Sequence, residues 1–239
     1  MRKSTVFAAV ALAVAFGAAS ARAEERAWAW SPVGIGIAAP IQLPFMSSDV
    51  YGIRLGGLFG CNADMYGLDL GVAKVETGSL AGLQASVFSW TSDNAYGVQL
   101  GTLANVVDGD AYGVEFGLVN VVWGEFWGLQ AGLVDYSANA AGIQFGALLN
   151  WNTSISYGWQ TSIANVDEDD FFGFAAGIVN YSDQLGGFQL GVVNTAFEAT
   201  GLQLGVLNAV ERMHGVQIGA INVIASSRLP VMVIANASF

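Results

Sequence analysis

The chain has 239 residues, 54% of them apolar, with 31 glycines, one cysteine, one histidine and a formal charge of −11. Without Arg2, Lys3 and Arg22, five cations remain against 19 acidic residues, a formal charge of −14, and Val75 to Glu211 contains no Lys or Arg. That balance argues against nucleic-acid binding, which needs basic groups to neutralise phosphate, and disfavours an anionic lipid surface; the lone Cys61 rules out an internal disulfide framework.

Residues Met1 to Ala23 predict a secretory signal peptide. Arg2 and Lys3 give a positive start, Val6 to Ala19 a short apolar run, and Ala21-Arg22-Ala23 a small-x-small cleavage pattern. The apolar run falls short of the roughly 20 residues that a spanning helix needs. Residues 24–239 then form a single β-repeat domain, with no linker or change of composition inside it. Trp28 to Phe45 alternates as one strand ending near Pro40, and Met46-Ser-Ser-Asp49 reads as a polar turn.

From Tyr51 onward the chain repeats one phrase, seen most clearly as Gly201-Leu-Gln-Leu-Gly-Val-Leu-Asn208. Close copies begin at Gly97, Gly142 and Gly215, and looser ones at Gly52, Gly67, Gly82, Gly113, Gly128, Gly158, Gly173 and Gly187, spaced 14 to 16 residues apart. That period is too short for helical hairpins and suits one β-strand and one turn per unit. All four prolines lie outside the array, as continuous ladder pairing requires.

Alternation divides each unit into two faces. The strand from Tyr96 sends Tyr96, Val98, Leu100, Thr102 and Ala104 one way and Gly97, Gln99, Gly101, Leu103 and Asn105 the other. An aromatic precedes the first glycine in many units, as at Tyr51, Tyr66, Tyr96, Tyr112, Trp127, Tyr157 and Phe172. Apolar outward faces, aromatic girdles and short turns predict an all-β antiparallel up-and-down membrane barrel of about 14 strands. Its lumen is lined by Gln99, Glu115, Gln130, Gln144, Gln160, Gln189, Gln203 and Gln217. The alternative is a β-solenoid, in which the glutamines and a second set (Asn120, Asn165, Asn180, Asn194, Asn208, Asn222) stack as ladders about 4.8 Å apart. A large apolar outer surface argues against the solenoid.

The closing segment, Leu229-Pro-Val-Met-Val-Ile-Ala-Asn-Ala-Ser-Phe239, alternates and ends on an aromatic, like the last strand of outer-membrane barrels. In the barrel reading that strand engages the barrel assembly machinery, and outer-membrane lipid is the main partner. Catalysis is not expected, because the single His214 sits in a turn and no paired carboxylates, metal cluster or phosphate-cradling loop stands out. Asp167-Glu-Asp-Asp170 reads as a solvated turn without calcium-loop spacing. No cofactor is implied.

Asp49-Val-Tyr-Gly-Ile-Arg-Leu55, Tyr66-Gly-Leu-Asp-Leu-Gly71, the Gly-Leu-Gln-Leu-Gly-Val-Leu-Asn units and the closing segment together resemble a bacterial family of exported surface-repeat proteins. The resemblance covers nearly the whole chain after Ala23 and implies a place at the cell surface or outer membrane. It brings no activity or binding residue with it. Ser86 and Ser162 at the second glycine, Trp159, and Ala175 at the glutamine place depart from the pattern. The functional expectation is an exported barrel with a structural or weakly pore-forming role; the alternative is an exported solenoid serving as an adhesion or interaction module.

Overall fold

Each unit opens on a glycine, and all twelve of these, from Gly52 to Gly215, hold φ between +121° and +151°. Side-chain-bearing residues avoid that region, so the glycine fixes a bend that no other residue makes cheaply. The bend also brings backbones close: a Cβ on Gly201 would collide with the carbonyl oxygen of Gly187, one unit earlier. Like units therefore lie directly over like units.

A computed structural model describes residues 30–38 and 41–239, so the predicted signal peptide, Met1–Ala23, lies outside the described residues. The pairing corrects the barrel expectation. Successive units run alongside one another: Gly67 pairs with Gly82, Gly82 with Gly97, Gly97 with Gly113, and Gly158 with Gly173, all in parallel. The chain is a right-through coil of about 11 turns, a β-solenoid rather than an antiparallel barrel of about 14 strands. No helix is present among the described residues.

The stack begins with β1 (Trp30–Ala38), which pairs antiparallel with β2 (Ile41–Leu43) and parallel with β3 (Asp49–Asn62). It continues through β4 (Met65–Leu70), β5 (Ala73–Glu76), β6 (Leu80–Thr91), β7 (Ala95–Val107), β8 (Ala111–Asn152), β9 (Ser156–Thr161), β10 (Ala164–Ala176) and β11 (Val179–Ile224). Both β8 and β11 wind through more than one turn without a break. The closing β12 (Val231–Ser238) runs antiparallel to the last turn, Val216 facing Ala237 and Gln217 facing Asn236. Each turn holds two extended runs joined by a bend, marked by register shifts such as that between Gly101 and Ala104. A unit is thus two short runs and two bends, where the barrel reading assumed one spanning strand and one tight turn.

Four columns of side chains fill the interior. One is mainly apolar and mixes large with small, including Val50, Met65, Leu80, Ala95, Ala111, Phe126, Phe171 and Leu185, all at most 4% exposed. The second holds the glutamines and the third the asparagines, both buried. The fourth is mixed, from Glu76, Thr91 and Val107 through Asn152, Asp167 and Ser182 to Val210 and Ile224. In the glutamine column the amides bond one another: Gln203 Nε2 donates to Gln189 Oε1 and Gln217 Nε2 to Gln203 Oε1, each at 2.8 Å. The asparagines do more, since Asn208 Nδ2 donates both to Asn222 Oδ1 at 2.8 Å and to the Ile218 carbonyl at 3.0 Å. That second bond satisfies a backbone oxygen of the neighbouring turn. Burying these amides is tolerable because each makes at least one hydrogen bond; with none, each would cost about 1–3 kcal/mol.

Candidate functional surface

Every residue expected to line a lumen lies inside the solenoid. Gln99, Glu115, Gln130, Gln144, Gln160, Gln189, Gln203 and Gln217 share one column and are 0–3% exposed, bonded mainly to one another and to interior neighbours. The interior is packed by side chains. Gln144 Nε2, for instance, donates to Gln130 Oε1 at 2.8 Å and Gln130 Nε2 to Glu115 Oε2 at 2.9 Å. The column breaks where the sequence departs from glutamine. At Ala175 there is no amide, so Gln160 Oε1 lacks a partner and Gln189 Nε2 turns to Ser182 Oγ at 3.2 Å.

Two buried acids interrupt the amide columns and a third lies in the mixed column, and burial raises each one's pKa. Glu115 is pushed up to about 8, with the Gln130 hydrogen bond opposing. Asp135, in the asparagine column, is raised to about 6 against the bond from Asn120. Asp167 is likewise raised to about 6, although Ser156, Gln160 and Asn152 all donate to it. The expected solvated turn at Asp167–Asp170 thus needs correction: Asp167 points inward at 1% exposure, and only its successors face out. The mixed column places position 167 opposite Ser182, an interior site.

The first turns hold a buried ionic cluster that inspection of single motifs missed. Arg54 forks onto Asp69, with Nε to Oδ1 at 2.7 Å and Nη2 to Oδ2, and Nη2 also reaches Glu76 Oε1 at 2.5 Å. Lys74 Nζ lies 2.8 Å from Asp69 Oδ1, and all four side chains are at most 5% exposed. Burial dominates Glu76, raising it to about 7 against the pull of Arg54. Asp69 goes the other way: burial raises it, but Arg54 and Lys74 together outweigh burial and lower it. The signal was available in register, because Arg54 and Asp69 occupy the glutamine place in consecutive units with opposite charge. The cluster is closed off from solvent and reads as a buried ionic plug, in which Arg54 Nη1 and Glu76 Oε2 have no hydrogen-bond partner. Cys61 beside it is buried, and burial pushes its thiol up to about 11, so it is an inert thiol.

The outer surface inverts the ordinary distribution of polarity, and it does so in zones around the turn. One edge is aliphatic at level after level, with Leu58, Leu103, Leu118, Leu148, Ile178 and Val206 at 44–67% exposure. The two flanks leaving that edge are also apolar, as with Leu100, Phe116, Phe145 and Phe188 on one and Val179 on the other. A groove of about 540 Å³ opens on the aliphatic edge, lined by Phe145, Ala147, Thr161, Ile163, Ala176 and Ile178.

Farther from that edge, each flank carries a row of aromatics. On one, Tyr51 stacks on Tyr66 (4.6 Å between centroids), Tyr96 on Tyr112 (5.3 Å) and Tyr157 on Phe172 (5.3 Å). On the other, Tyr136 meets Trp123 at 5.1 Å and Trp151 at 5.9 Å. The opposite edge is acidic. Among the described residues every Asp and Glu is either inside the solenoid or on this edge, which includes Asp64, Asp93, Asp108, Asp110, Glu125 and Glu168. Several cap the next turn: Ser79 N donates to Asp64 Oδ1 at 2.7 Å and Glu125 N to Asp110 Oδ1 at 2.8 Å.

No group of three or more His, Cys, Asp or Glu side chains suited to a metal ion occurs among the described residues. His214 is exposed, 6.1 Å from the terminal Phe239 ring. Comparison with protein-family models, with curated proteins and with solved structures gives no match to this chain.

Proposed function

We propose that the chain is an exported β-solenoid that serves as a surface interaction module and performs no catalysis. One observation carries the reading: an aliphatic edge and two apolar flanks run the length of the coil. About 50 Å along the stack and about 40 Å around it amount to roughly 2,000 Å² of contiguous apolar surface. The largest apolar patch on a typical soluble monomer is about 300–600 Å². Such a surface is stable only against something that covers it, and repeat solenoids bind through extended faces of this kind. Export rests on the leader-like Met1–Ala23, and a cell-surface or outer-membrane position rests on the resemblance to exported surface-repeat proteins. The pore-forming reading has less behind it, because the glutamines that would line a channel fill the interior instead.

The experiment is a pair of labels in a Cys61→Ser background. Gln189→Cys with Gln203→Cys tests the stacking, since adjacent turns put the two Cα atoms about 4.8 Å apart, within disulfide reach. Antiparallel neighbours would hold them much farther apart. Glu168→Cys tests the location through a membrane-impermeant maleimide on intact cells. Absence of the crosslink under oxidation removes the solenoid module, and labelling of Glu168→Cys only after lysis removes the surface position.

A further inference from the structure

The interaction-module reading leaves open what covers the apolar surface, and the following rests on that reading. We propose that the solenoid lies lengthwise in a single leaflet of a lipid bilayer. Its aliphatic edge points to the bilayer midplane, its two aromatic rows stand at the headgroup boundary and its acidic edge faces water.

The ordering of polarity around the turn selects lipid over a protein partner. A protein docked on a flat sheet face would account for one apolar flank. Here both flanks and the edge between them are apolar at nearly every level, and acyl chains wrap all three where a folded partner does not. The dimensions agree. From Tyr96 on the aromatic row to Leu103 on the aliphatic edge is seven residues, about 20 Å of extended chain. The hydrocarbon half of one leaflet is about 15 Å thick and its headgroup region extends to about 20 Å, so the aromatic row falls within the headgroup region.

Trp90 and Trp151 are oriented as interfacial rings are, apolar body toward lipid and polar atom toward water. Trp90 Nε1 donates to Asp108 Oδ2 at 2.9 Å and Trp151 Nε1 to Glu168 Oε1 at 3.0 Å, both acceptors on the acidic edge. Backbone polarity is no obstacle, because N–H and C=O groups along the flanks are consumed by turn-to-turn pairing, as hydrocarbon demands. The groove at Phe145, Ile163 and Ile178 gives an acyl chain a seat on the edge itself. Charge narrows the headgroup. Among the described residues the cations on the outside are Arg212 and Arg228, so the acidic edge beside the headgroups favours zwitterionic over anionic lipid.

The test uses the full exported chain and phosphatidylcholine vesicles. An environment-sensitive fluorophore is placed at Leu148→Cys on the aliphatic edge or at Glu168→Cys on the acidic edge, each in the Cys61→Ser background. The chain is expected to float with the vesicles. The Leu148 probe should be quenched by nitroxides on the acyl chains, and the Glu168 probe by aqueous iodide. The triple change Leu103→Asp, Leu118→Asp and Leu148→Asp, all at exposed positions, should lower partition by about tenfold or more with far-UV circular dichroism unchanged. Asp108→Asn with Glu168→Gln should leave partition within about twofold. A chain that stays in the aqueous fraction overturns the leaflet assignment, as does one that forms a dimer shielding the Leu148 probe without vesicles. Neither result touches the surface interaction module, which stands or falls on the Gln189–Gln203 crosslink and the Glu168→Cys label.

Discussion

Glu115→Gln should stabilise this protein, and the gain should depend on pH in a defined way. Glu115 stands in the glutamine column, paired in register with Gln99. Gln130 donates to its Oε2 at 2.9 Å, but Oε1 of Glu115 and Oε1 of Gln99 both lack a partner. Two acceptors therefore meet where every intact step of the column has a donor and an acceptor. A protonated carboxyl resolves the conflict by donating to Gln99, and burial accordingly raises the pKa from 4.5 to about 8.

The sign follows from linkage. A carboxyl whose folded pKa lies above its unfolded value loses nothing at pH below 4.5, loses stability progressively as the pH climbs toward 8, and stays at its worst above that. At about 1.4 kcal/mol per pKa unit, the full penalty is on the order of 5 kcal/mol. The glutamine side chain has the same shape, supplies the missing donor and does not ionise. At pH 9 the variant should melt about 10 °C higher than the parent, given about 2–4 °C per kcal/mol for a chain of this size. At pH 4, where the protonated carboxyl already supplies that donor, the two should lie within about 1 kcal/mol of each other. Thermal unfolding followed by circular dichroism at the two pH values, in one nonionic detergent, measures both. An offset that is the same at pH 4 and pH 9, or a variant less stable at pH 9, would refute the argument.

The same logic at Asp135, where Asp135 Oδ2 and Asn150 Oδ1 both lack partners, predicts that Asp135→Asn stabilises as well. With a rise only from 3.8 to about 6, its gain should accrue between those pH values and reach on the order of 2–3 kcal/mol in the same melts. Arg54→Ala strips Asp69 and Glu76 of their shared partner and should cost about 3–5 kcal/mol in denaturant titration. Arg212→Ala, which removes an exposed pair with Glu198, should change stability by less than about 1 kcal/mol. Comparable losses from the two arginines would show that burial is not what makes the first cluster matter. Gly201→Ala forces a side chain into φ +139° against the Gly187 carbonyl, and should cost on the order of 3 kcal/mol in the same titration. A neutral result there would mean the bend can relax.

Much of the fold is legible in the residues, but one decisive property is not. Periodicity gives the unit, and alternation gives the faces of its first run, so the inward position of Gln203 follows from spacing alone; Leu103, sent inward by the same count, is 53% exposed because the bend between Gly101 and Ala104 resets the phase. Alternation is the same whether neighbours run parallel or antiparallel, so it cannot choose between solenoid and barrel. The discriminating signal is coincidence in register: glutamine beside glutamine, and Arg54 beside Asp69 where a glutamine belongs. The expectation that soluble solenoids hide their apolar residues weighed against that signal, and here it fails, because the polar amides are inside and the aliphatics outside. The inward turn of Asp167 was hidden for another reason. Its phase within the unit depends on where the second bend falls, and neither a glycine nor a proline marks that bend.

The turns are unequal in length while the columns within them are not. Gly101 to Asn105 takes four steps where Gly205 to Asn208 takes three, and Asn105 to Ala111 takes six where Asn208 to Met213 takes five. The bends absorb the difference, and Asn105 and Asn208 still stack in one ladder. A whole unit can therefore be gained or lost without disturbing its neighbours. Excising Gly187 to Thr200 would set Gly201 down on Gly173 and shorten the molecule by one rung, about 4.8 Å. Length is then an inheritable quantity counted in repeats, and tandem duplication can tune the reach of such a molecule as notches lengthen a ruler.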